Sequence, residues 1–240
     1  MIVRVALAAC LLGAAAAAED PGQAELWLAS GFERAKVRWL EPEFFERQLP
    51  QERLLDLTLV RLDGSPWSEK RILGHLQRTA ETFAPCGIGL GSLLLARVRA
   101  PGGRHDFDLS PASPAPAQVV KLASLLPAAA PRPVVFFAGR LFEAAGFAQS
   151  FQRGDVGPAE ARRYPYMNTA WIAYRAHWME RSDPRYSTLA HELAHLLCRC
   201  GHRSSPERHL LNSHRNRLSS EIEAGDCETF RRSDLLRSAR

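Results

Sequence analysis

The chain has 240 residues, a net charge of +5, 46% hydrophobic and 24% charged residues. These are the values of an ordinary globular domain with enough chain for a substantial core. The arginines are dispersed, with no dense basic run and no nucleic-acid motif, so the excess charge predicts a solvated surface rather than a phosphate reader.

Residues 1–18 read as a signal peptide. Arg4 precedes an apolar run through Ala18, and Ala16, Ala17 and Ala18 before Glu19 fit a signal-peptidase site. Leu7 to Cys10 resembles a lipobox, but only five apolar residues separate Arg4 from Cys10, too few for a hydrophobic region. Export as a secreted or periplasmic protein is therefore expected over a lipoprotein anchor. No later stretch is long and apolar enough to span a bilayer. Residues 19–52 mix Trp27, Phe32, Trp39 and Phe44 with charges in no single period, and form an N-terminal extension, either a structural cover or a propeptide.

Residues 53–240 are expected to form one α+β domain. A strand starts at Arg53 and ends in the Asp63-Gly64 turn. Ser65 and Pro66 predict a helix N-terminus, with Ile72, Leu73, Leu76, Ala80 and Phe83 on one side and a stop at Pro85. Residues 92–100 predict a second strand, His105 to Leu109 a short continuation, 111–116 a surface connection and Gln118 to Leu126 a short helix. Residues 133–138 (PVVFFA) suit a central buried strand. Gly146 to Gly157 reads as a glycine-punctuated loop, residues 169–175 as a strand, and His177 and Trp178 as a link to the next helix.

That helix carries HELAHLLCRCGH, from His191 to His202. Asp183 and Pro184 predict its start and Gly201 its end. His191 and His195, four apart, stack on one helical face where both imidazoles can grip one metal ion, with Glu192 beside it to take a proton from water. Tyr186, Leu189, Leu193, Leu196 and Leu197 centre on the opposite face, as a buried metal-site helix requires. Such sites use zinc, three protein ligands and an open position. Glycine at 201 lets the chain reverse and bring His202 back as the third ligand. Cys198, His209, His214, Glu221 and Glu223 are competing donors. Ser220 and Glu223 make a capping box for a closing helix to about Leu236.

The motif resembles that of the metzincin clan of zinc peptidases, H-E-x-x-H-x-x-G-x-x-H. Here Cys198 occupies the glycine position, Gly201 follows, and His202 stands one residue later than the clan's last histidine. No methionine follows His202, so Leu210 or Leu211 takes the packing role of the clan's methionine turn. The resemblance implies a zincin-like fold: a mixed twisted sheet, an active-site helix, a backing helix and a C-terminal helix. It implies one zinc ion on His191, His195 and His202, with Glu192 as general base. It also implies an edge strand that receives extended substrate, either Phe147–Phe151 or Met167–Tyr174.

Without the signal, four cysteines remain: Cys86, Cys198, Cys200 and Cys227. An even count in an exported chain predicts two disulfides. Cys198 and Cys200 are so near in sequence that each is expected to reach elsewhere, giving Cys86–Cys198 and Cys200–Cys227. The leading functional expectation is a monomeric, exported zinc endopeptidase acting on peptide or protein. A catalytically silent zincin-fold binding module and a metal hydrolase of a non-peptide amide are the alternatives.

Overall fold

The computed structural model describes residues 33–40 (backbone only), 51–99, 105–107, 109, 122, 123, 126, 130–141, 144–149, 167–182, 186–202, 209–212 and 221–239. In chain order the elements are β1 (Glu33–Leu40), β2 (Arg53–Leu62), α1 (Glu69–Phe83), β3 (Ile88–Arg99), β4 (Val134–Ala138), β5 (Gly146–Gln149), β6 (Thr169–Ala173), α2 (Tyr174–Ser182), α3 (Thr188–Cys198), α4 (Ala224–Arg231) and β7 (Leu236–Ser238). The expected α+β class holds.

The strands form one sheet in the order β1-β3-β2-β4-β6-β5, with β7 on the free half of β2. β2 runs parallel to β3 and β4, and β4 parallel to β6. β1, β5 and β7 each pair antiparallel. The run Val134 to Ala138 is fully buried at the centre, as a strand flanked on both sides and covered on both faces must be.

Period-two alternation divides the core. Leu57, Leu59, Val135, Phe137, Ala170 and Ile172 face a layer that includes α1, α3 and α4. Val60, Leu62, Phe136, Trp171 and Ala173 face the other side, where Phe107, Leu109, Leu122, Ala123 and Leu126 cover them. Trp171 stacks on Phe136 at 4.1 Å.

Several boundaries differ from the sequence reading, each for a local reason. α1 starts at Glu69 rather than Pro66, because Ser65 donates its hydroxyl to Leu62 O within the turn (2.6 Å) while Ser68 caps the helix by accepting from Arg71 N–H. β3 begins at Ile88, earlier than expected. β1 lies within the 19–52 extension and joins the sheet beside β3. Phe107 pairs with Leu141 in an isolated bridge and does not prolong β3. Of the expected helix Gln118 to Leu126, only Leu122 and Ala123 are described as helical. The segment expected as a loop from Gly146 begins as β5, and its remainder lies outside the described residues. A four-residue, half-buried edge strand is too short to display alternation.

His177 and Trp178 stand on α2, not in a link. α3 is capped by Ser187, whose hydroxyl accepts from Ala190 N–H (3.1 Å), whereas Asp183 and Pro184 lie outside the described residues. The helix stops at Cys198, short of Gly201, with Arg199 left-handed at φ 50°. α4 starts after Glu223 and ends at Arg231, and β7 replaces the rest of the expected closing helix. Ser220 lies outside the described residues.

The disulfides overturn the expected pairing. Cys86 bonds Cys227, tying the end of α1 to α4, and Cys198 bonds its near neighbour Cys200. The left-handed Arg199 folds the chain sharply enough to bring those two Cα atoms to 5.2 Å, within disulfide range. Among the described residues no helix is long and apolar enough to cross a membrane.

Candidate metal centre

The buried face of α3 presses Leu189, Leu193, Leu196 and Leu197 into the core. Its N-terminus is held by Glu180 of α2, a fully buried carboxylate that accepts from Thr188 N–H at 2.7 Å. Negative charge there suits the positive end of a helix. With its register fixed, α3 presents His191, Glu192 and His195 along one side.

His191 Nε2 lies 3.1 Å from both His195 Nε2 and His202 Nε2. The opposite nitrogens are engaged by main-chain carbonyls. His191 Nδ1–H donates to Leu210 O (2.5 Å) and His195 Nδ1–H donates to Cys200 O (2.8 Å). These bonds leave the Nε2 atoms of His191 and His195 as lone-pair donors facing one another. Protons do not relieve that repulsion at neutral pH. Burial, followed by the neighbouring imidazoles, pushes His191 down to about 3, and burial pushes His195 down to about 4. The pKa of His202 is also lowered by burial. A shared cation does relieve it. Two imidazole nitrogens on one tetrahedral zinc stand about 3.3 Å apart, so the observed separation fits the metal.

The turn after α3 explains how a spacing of seven reaches the same point. The extra residue is absorbed in the Arg199 bend and the Cys198–Cys200 ring, which also places Cys200 O against His195. Cys198, a competing ligand in sequence terms, is consumed by that ring. Below it, residues 209–212 make a turn closed by Asn212 N–H to His209 O (3.0 Å), with Leu210 and Leu211 buried. His209 accepts from Leu211 N–H at Nδ1 and donates to Asp226 Oδ2 from Nε2 (2.5 Å). Both its nitrogens are thereby occupied. Ligand atoms of His209, Glu223 and Asp226 also cluster within 4.8 Å, but the hydrogen bonds make His209 and Asp226 a bracket joining the turn to α4. Glu221 is exposed and main-chain bonded to the same turn, while His214 lies outside the described residues.

Glu192 is 6% exposed and burial lifts its carboxyl to about 8. β5 passes directly against it. A Cβ on Gly146 would stand 2.4 Å from Glu192 Oε1 and 2.8 Å from Thr188 Cγ2, so only glycine permits this approach. Among the described residues β5 is the outermost strand at this end of the sheet, and β6 is interior. Of the two edge-strand candidates, the one beginning at Phe147 therefore lies at the edge. Sequence reasoning missed Gly146, Glu180 and the carbonyls of Cys200 and Leu210. The last two carry no side-chain signal at all.

No family model matches the chain, and no curated protein does. Among solved structures it is similar to metalloproteinase-II from Bacteroides fragilis, with a TM-score of 0.50 and 14% identity over 77% of this chain and 54% of that one. The chain thus spans about half the length of that structure. The fold is a zincin-like α+β fold. Within it His191, His195 and His202 form a candidate metal-binding cluster.

Proposed function

We propose that this chain is an exported, monomeric zinc peptidase in which His191, His195 and His202 hold the metal and Glu192 handles the proton. The observation that carries the reading is the convergence of three Nε2 atoms, two of them stripped of protons by main-chain acceptors. Bound zinc supplies Lewis acidity that polarises a carbonyl and acidifies water. A carboxyl raised to about 8 by burial can take a proton from the attacking water and return it to the leaving amine. The outward edge of β5 offers main-chain pairing to an extended peptide, and Gly146 brings that strand beside Glu192. The Cys198–Cys200 ring suits an oxidising compartment.

The test combines metal analysis with peptide hydrolysis. Wild type is expected to hold one zinc per chain, and Glu192→Gln to keep the zinc while losing on the order of 10²–10⁴ in rate. His202→Ala is expected to lose the metal. Hydrolysis persisting in Glu192→Gln refutes the catalytic assignment, and zinc retained in His202→Ala refutes the ligand set.

A further inference from the structure

Outside the metal centre, a cavity of about 420 Å³ opens between α1 and α2. Among the described residues its walls carry Lys70, Arg71 and Arg78 with the imidazoles of His75 and His177, and no carboxylate. The acid beneath it, Glu180, is fully buried and already committed. Its oxygens accept from Arg78 Nη1 and Thr188 N–H, both at 2.7 Å, and His75 Nδ1 stands 3.0 Å away. Glu180 therefore offsets Arg78 and leaves Lys70 and Arg71 as excess positive charge on the wall.

The groups are held rather than loose. Arg71 donates one N–H to Pro66 O (2.7 Å) and lies over the Tyr174 ring at 5.2 Å, which leaves further donors on a planar, permanently charged fork. His75 is 2% exposed, with its Nδ1 turned toward the buried acid, 3.0 Å from Glu180 Oε1. Burial and then the charges of His75, Arg71 and Arg181 push the pKa of His177 down, with Glu180 alone opposing. Of these causes, the charges of Arg71 and Arg181 are the ones that favour an anion. Gly74 opens the floor, since a Cβ there would meet nothing within 4 Å.

We propose that this cavity is a binding site for a small oxyanion, whether phosphate, sulfate or carboxylate, gripped by Arg71 and Lys70. Guanidinium and ammonium groups lining a partly enclosed space are the chemistry that recognises such groups. The test is calorimetric titration of the zinc-loaded full chain at low ionic strength with sodium phosphate, sulfate and acetate in separate arms. One saturable site is expected for at least one anion, and the arm that saturates identifies its chemistry. Arg71→Ala is expected to weaken binding at least tenfold, and Gly74→Glu, which brings a competing carboxylate to the cavity wall from a position whose Cβ meets nothing within 4 Å, to abolish it. Unfolding temperature and zinc content measured on both variants confirm that each is folded; if Gly74→Glu is not, Arg71→Ala decides. Saturation by none of the three anions overturns the proposal, as does undiminished binding in the folded variants. Neither substitution touches the histidine cluster, so the outcome is independent of the peptidase reading.

Discussion

Replacing Gly146 with alanine adds one methyl group where there is no room. Its carbon would sit 2.4 Å from Glu192 Oε1, 2.7 Å from Glu192 Cγ and 2.8 Å from Thr188 Cγ2. Relief requires β5 to lift from α3 or Glu192 to leave its rotamer. Overpacking of this kind costs about 1–3 kcal/mol, which for a domain of this size is a fall of roughly 2–12 °C in unfolding temperature. Gly74→Ala is the matched control: same methyl, nothing within 4 Å, a helical position. It is expected to stabilise by about 0.5–1 kcal/mol through helix propensity. Calorimetry on both variants, with zinc content and peptide hydrolysis on the first, measures the difference. Gly146→Ala is expected to keep its zinc while losing both stability and activity. An unchanged unfolding temperature together with unchanged hydrolysis would show that β5 does not press on Glu192.

The two disulfides should differ in weight. Cys86–Cys227 spans 141 residues, a loop worth about 5 kcal/mol of denatured-state entropy, whereas a ring as short as Cys198–Cys200 is worth about 1.6 kcal/mol. Denaturant titration of Cys227→Ser and Cys200→Ser should rank them so, with the second losing zinc affinity out of proportion to its stability. Asp226→Asn weakens the bond to His209 and frees the turn that supplies Leu210 O to His191; a chelator competition should read a loss of about 10–100-fold in metal affinity. Acidity acts on the chelator-treated chain in two opposed ways. His191 and His195 are lowered from 6.5 to about 3 and about 4, so their contribution is complete above pH 6.5 and is lost as pH falls toward those values. Glu192 is raised from 4.5 to about 8, so its folded form keeps a proton that the unfolded form releases, and stability drops as pH climbs from 4.5 to 8. Between pH 4.5 and 6.5 the two histidines outweigh the single glutamate, so denaturant midpoints should keep rising to a peak near pH 6.5 and fall above it. A monotonic profile across pH 3 to 8 would contradict these signs.

The parts legible in the sequence are those written in periodic or chemical pattern. Leu57 and Leu59 against Val60 and Leu62, the run Val134 to Ala138, and the apolar back of α3 all fall on the faces their spacing requires. His191, His195 and His202 meet because a helical turn and a reversal bring them together. What escaped has no such signature. Proximity in sequence argued against Cys198–Cys200, yet one left-handed residue, Arg199, made it feasible. Ser65 looked like a cap but serves the preceding turn, and β5 is too short to alternate. The support of His191 and His195 rests on carbonyl oxygens, which every residue possesses equally.

The bond between Cys86 and Cys227 also imposes an order of events. Its halves are 141 positions apart, and the residue next to Cys227, Asp226, steadies the turn under His191. A nascent chain therefore has its histidine pair before it has the support for that pair. Support of the histidine cluster is thereby tied to the arrival and oxidation of α4.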